Sequence, residues 1–118
     1  MAAQGFAFDL KTLGSAEESA PPPERIVSGA PRAKTWNLEE TPDGKVFSGV
    51  WECAPGKWRV HYDEWEFCTL LSGTSIVSED GEAPVTLKAG DAMILRPGFS
   101  GTWEVVETTR KIYVIRLP

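Results

Sequence analysis

The sequence predicts an all-β protein, a sandwich or small barrel of antiparallel strands, on three observations. From Lys34 onward, short runs rich in Val, Ile, Thr and aromatic residues follow one another at short intervals. Between them stand Pro42-Asp43-Gly44, Pro55-Gly56, Asp80-Gly81 and Pro97-Gly98, residue pairs whose preset or positive φ angles suit chain reversal. No window carries the sustained 3.6-residue apolar repeat of a helix. At 118 residues the chain is one domain, long enough to bury a core without a disulfide or a structural metal.

Taken in chain order, Phe6, Phe8 and Leu10 alternate with Ala7 and Asp9, the period-two signature of a short half-buried strand. Residues 14–33 hold Pro21, Pro22, Pro23 and Pro31, enough to forbid a long helix or a central strand. Residues 1–33 therefore read as an N-terminal arm and Pro-rich linker, and 34–118 as the barrel domain. The strand at the start of the arm needs a neighbour: its own domain or, the preferred reading, the sheet edge of a second subunit. A loose tail is the bland alternative. The strand runs that follow are 34–40, 45–53, 57–62, 65–71, 74–78, 84–88, 92–96, 101–107 and 110–117.

Charge and composition exclude several partners. Seventeen acidic against twelve basic residues give a formal charge of -5, with no basic footprint for a nucleic-acid backbone. No 18-residue apolar stretch exists to span a membrane, so a soluble protein is expected. The opening MAAQGFAFDLKTLGS lacks a basic start followed by an apolar run, which points away from a secretory signal and toward the cytoplasm. Cys53 and Cys68 then read as reduced, buried thiols. The absence of a Gly-rich phosphate loop, a Gly-x-Ser-x-Gly elbow and a close-spaced cysteine set disfavours nucleotide binding, serine hydrolysis and structural zinc.

The alternation along 65–71 singles out one residue. Glu66 shares a face with Cys68 and Leu70, while Trp65, Phe67, Thr69 and Leu71 take the other. If that face is the interior, the carboxylate must be protonated, paired with a base, or engaged by a ligand or metal, because an unpaired buried charge is costly. If it is the exterior, Glu66 is merely solvated. The five tryptophans, Trp36, Trp51, Trp58, Trp65 and Trp103, are core residues or the walls of a small-molecule cavity.

The stretches PGKWRVHYDEWEFCTLLSG (55–73) and AGDAMILRPGFSGTWEV (89–105) resemble the two motifs of the cupin superfamily. The run WECAPGKWRVHYDEWEFCTLLSG with GFSGTWEVVETTRKIYVI is similar to small cupins grouped with the (S)-ureidoglycine aminohydrolase cupin domain. The resemblance implies a double-stranded β-helix, the RmlC-like jelly-roll barrel, with both motifs facing one cavity, and a homodimer. It also implies a divalent metal held by several histidines and a glutamate. On that pattern Glu66 and Gly73 fit, and His61 falls on one histidine position. Arg59 falls on another; a spacing one residue shorter puts Val60 and Tyr62 on these two positions instead, and Gly101 or Thr102 takes the third. His61 is the only histidine, so a site of several imidazoles within one chain is excluded by counting, and a metal-poor site is preferred.

Four functions follow as expectations. The first is a barrel binding a small molecule without a tightly held metal, with Glu66 and Arg59 as polar anchors and Trp51, Phe67 and Trp103 as walls. The second is the one the resemblance suggests: a metal-dependent enzyme of the ureidoglycine aminohydrolase type, acting on a small nitrogen-containing metabolite. There Mn, Fe, Ni or Zn would be held by His61 and Glu66. The third is a metal-free enzyme in which Glu66 is the catalytic acid or base. The last is a sealed structural domain.

Overall fold

The computed structural model describes residues 3–118. They form one antiparallel nine-stranded sheet curled into a jelly-roll barrel, and the sole helical element among them is a 3-10 turn at Pro23–Arg25. No helix is long and apolar enough to cross a membrane.

The strands are β1 (Glu17–Ser19), β2 (Ile26–Gly29), β3 (Ala33–Glu40), β4 (Val46–Cys53), β5 (Gly56–His61), β6 (Trp65–Glu79), β7 (Val85–Lys88), β8 (Ala92–Leu95) and β9 (Ser100–Arg116). One path through the sheet runs β1-β3-β4-β9-β5-β2. β9 organises it: its C-terminal half pairs with β4 and its N-terminal half with β5 along one edge, and nearly its whole length pairs with β6 along the other. The far edge of β6 carries β8 and then β7. The core lies inside the curl, where Leu70, Val77, Leu95, Trp103 and Val105 are almost wholly buried.

Several expectations are corrected. The runs 65–71 and 74–78 are one strand, as are 101–107 and 110–117. In β6 the Ser72-Gly73 step is absorbed as a series of register shifts between Leu70 and Ser75 instead of a turn. This irregularity moves the inward face from the even positions Glu66, Cys68 and Leu70 to the odd positions Ser75 and Val77. Gly73 takes φ +85°, and a side chain there would run into the Thr108 backbone. Gly44, Gly81 and Gly98 do turn with positive φ, but Gly56 does not. Gly56 opens β5, and a Cβ there would lie 2.8 Å from Pro31 Cβ, so its smallness serves close packing.

The arm also differs from its reading. Residues 6–10 form no strand; Phe6 is 63% exposed and its ring lies against that of Phe8, at 5.9 Å between centroids. A period-two pattern supplies a face but no ladder partner, and none meets it within this chain. Instead the Pro-rich stretch 14–33 folds back on its own domain. β1 pairs with β3, β2 pairs with β5, and the Trp36 indole donates to Gly14 O at 2.9 Å. Both are outer strands of the path, the place where a proline-rich chain can pair.

Candidate functional site

The barrel encloses a chamber of about 490 Å³. Alternation delivers its walls. β4 turns Phe47 and Trp51 inward, β5 turns Trp58 and Val60, and β9 turns Trp103, Lys111, Tyr113 and Ile115. Glu66 comes from β6, Asn37 from β3, and Glu17 from the arm strand β1 at the rim. Tyr62 follows β5 and is fixed by its backbone: its N–H donates to Phe99 O at 2.9 Å and its C=O accepts from Gly98 N at 2.7 Å. The Phe99 ring meets it edge-on at 5.8 Å. A second hollow of about 350 Å³ lies under Pro21 and Pro22 of the arm and shares Trp51, Trp58, Val60, Tyr62 and Glu66 with the first.

At the chamber's floor sits a buried ion pair. Glu66 and Lys111 are 4% and 5% exposed, and Lys111 Nζ donates to Glu66 Oε2 at 2.8 Å. In the ladder Lys111 stands opposite Leu70, so its stem runs along β6 past one same-face position to reach Glu66. Its other ladder neighbour is Trp51. The ammonium lies 4.6 Å from the Trp51 ring centroid and 4.2 Å from that of Trp103, close enough for both π faces to stabilise the cation. Trp103 is held in turn by a buried relay. Its indole donates to Ser75 Oγ at 3.2 Å, which meets Thr109 Oγ1 at 2.8 Å, and Thr109 donates to Glu107 O at 2.9 Å.

The phenols and thiols around the pair are held neutral. Burial holds the Tyr62 phenol well above its ordinary range, with Glu66 adding to the effect. Tyr113 is pushed up to about 12, by burial first and then by Glu66 and Glu17, and its hydroxyl donates to Asn37 Oδ1 at 2.8 Å. Cys53 and Cys68 are free and buried. Burial raises both thiols against the pull of Lys111, Cys53 to about 11.

Of the residues singled out in the sequence, Glu66, Trp51 and Trp103 come together in the chamber. Phe67 stands on the opposite face of its strand from it, whereas Arg59 and His61 are absent from this lining but line the second hollow together with Glu66. Phe67 pairs in the ladder with Ile94 and Val114 on the face of β6 away from Glu66. Arg59 makes a two-pronged bond to Asp80, at 2.8 and 2.6 Å, on the barrel's outside. His61 bonds Ser100 at 2.6 Å through Nδ1 and Asp63 at 3.1 Å through Nε2, with half its side chain exposed. The reason is parity: with Trp58, Val60 and Tyr62 turned into the chamber, Arg59 and His61 must face away from it. The residue missed is Lys111. In Arg110–Leu117 it shares a face with Tyr113 and Ile115, so the alternation that marked Glu66 would have marked it too.

The metal implied by the resemblance does not fit these residues. No group of three or more His, Cys, Asp or Glu side chains able to hold a metal occurs among the described residues. The carboxylates among the described residues lining the chamber are Glu17 and Glu66, and Glu66 Oε2 already holds an ammonium that would repel a dication. The positive charge that a carboxylate in this barrel needs comes from the chain itself.

Fold and chamber together define a small β-barrel with an aromatic-walled interior hollow. The EutQ-like cupin domain model matches residues 40–113, and the chain belongs to that family. Among solved structures it is similar to a protein of unknown function from Pseudomonas syringae pv. tomato, at 25% identity and TM-score 0.78, over 87% of this chain and 45% of that one. The chain thus spans less than half of that relative's length. It is also similar to the Clostridium difficile EutQ protein (19% identity, TM-score 0.65, 84% and 80% covered). Ectoine synthase from P. lautus is a further match (14% identity, TM-score 0.67, 80% and 70% covered). A comparison with curated proteins finds no match.

Proposed function

We propose that the chain binds a small organic molecule inside its barrel, without a tightly held metal. The observation that supports this is the Glu66–Lys111 pair set at the end of an aromatic-walled chamber instead of a filled core. A buried ion pair is weak evidence for stability, since apolar residues of the same volume serve as well or better. Its place beside open space suits a site in which a fixed carboxylate orients a guest. The aminohydrolase alternative rests on the sequence resemblance, and only Glu66 of its two named metal ligands lines the chamber.

The test is a thermal-shift and tryptophan-fluorescence screen of small metabolites against the wild type and Val60→Trp, which puts a bulky ring into the chamber and narrows it. Compounds that stabilise the first and not the second are expected. A screen with no such compound overturns the reading. The homodimer is carried as part of the proposal, and sedimentation velocity, returning a species of two chains, checks it.

A further inference from the structure

We infer that the ligand is an organic monocation, an ammonium group on a small apolar or aromatic body; this deepens the binding function proposed above and rests on it.

Charge is the first ground. Of the side chains lining the chamber, Glu17 and Glu66 are anionic and Lys111 is cationic, which leaves one negative charge without a partner. Glu17 acts on the interior, because its charge contributes to holding the Tyr113 phenol neutral. One further cation balances the lining, whereas a carboxylate would double the imbalance and a phosphate would raise it further.

Hydrogen-bonding capacity is the second ground. Lys111, the lining's one charged donor, is engaged by Glu66 Oε2 and by two indole faces. Among the described residues Glu66 Oε1 has no hydrogen-bond partner, and the Tyr113 hydroxyl spends its hydrogen on Asn37, so both oxygens are open acceptors. Among the described residues the Tyr62 hydroxyl has no hydrogen-bond partner either; it lines the chamber with Glu66 and can accept through its oxygen as well as donate its proton. An ammonium is a donor only, and it matches this surplus of acceptors.

The walls are the third ground. Six aromatic side chains line the chamber: Phe47, Trp51, Trp58, Tyr62, Trp103 and Tyr113. Ring faces attract cations and accommodate an apolar body. The protein's own ammonium, seated against Glu66 between Trp51 and Trp103, displays the chemistry the chamber offers a guest.

Three probes of one shape and different charge test this: 2-phenylethylammonium, 3-phenylpropanamide and 3-phenylpropanoate, titrated into the full chain with tryptophan fluorescence and calorimetry. The ammonium should bind at least about tenfold more tightly than the carboxylate. Glu17→Gln, an exposed substitution on an edge strand, should weaken the ammonium about fivefold and leave the amide unchanged. Equal binding of amide and ammonium, or preference for the carboxylate, overturns the charge rule while leaving the chamber as a binding site. Silence from all three also overturns it, and the metabolite screen with Val60→Trp then decides the binding reading separately.

Discussion

Glu66 and Lys111 each make the other tolerable, and this fixes what their substitution should do. Replacing either alone by Ala leaves an uncompensated buried charge, and urea unfolding should show a loss of about 3–5 kcal/mol. The double change Glu66→Gln, Lys111→Met keeps the volume and removes both charges, and should recover most of that loss. The alternation rule found the first member of this pair because Cys68 and Leu70 are apolar neighbours on its face. It would have found the second had it been applied to the last strand. What the rule could not supply was the partnership, since Glu66 and Lys111 are 45 positions apart and meet only through the β6–β9 register. Arg59 and His61, which the motif alignment set beside Glu66, share the second hollow with it, while the parity of Trp58, Val60 and Tyr62 turns them away from the first. The raised thiol and phenols set a second expectation. The folded Cys53 titrates near 11 against 9 for an ordinary thiol, and Tyr113 near 12 against 10. Their contribution is whole below the unfolded values and is lost as pH climbs through the folded ones, so unfolding free energy should decline from about pH 9 to pH 12. In the native protein at pH 8, neither thiol should react with iodoacetamide until denaturant is added.

At the scale of elements, seven of the nine strands, β3 to β9, were legible from composition and turns, although the two longest were each read as a pair and β1 and β2 in the arm were not read as strands. Val, Ile and Thr content says that a segment is extended. It does not say whether Ser72-Gly73 reverses the chain or kinks it, because glycine at positive φ serves a turn and a bulge alike. The arm shows the same limit: the proline count of 14–33 excluded a central strand correctly, but edge pairing at β1 and β2 depends on partners far along the chain. Gly73 offers a direct check of the bulge. Gly73→Ala combines positive φ with a collision against Thr108 and Thr109 and should cost more than about 2 kcal/mol in denaturant titration. Gly81→Ala has similar φ and open space around it, and should cost only about 1 kcal/mol.

For the whole molecule, the fold class was written in the local pattern, whereas the chamber's chemistry came from bringing β4, β5, β6 and β9 around one volume. Because that volume carries its own cation, the melting temperature of the purified protein should not change on dialysis against EDTA, nor rise on adding Mn, Fe, Ni or Zn. A shift of several degrees in either case would contradict the charge assignment. The path of β9 bears on synthesis. Residues 100–116 complete the ladders of β4, β5 and β6, three strands made earlier. While the ribosome is still working through position 100, those strands wait with open edges and exposed indoles. The barrel therefore closes late and in one step, and nascent chains stalled before residue 100 should be digested by protease as readily as an unfolded polypeptide.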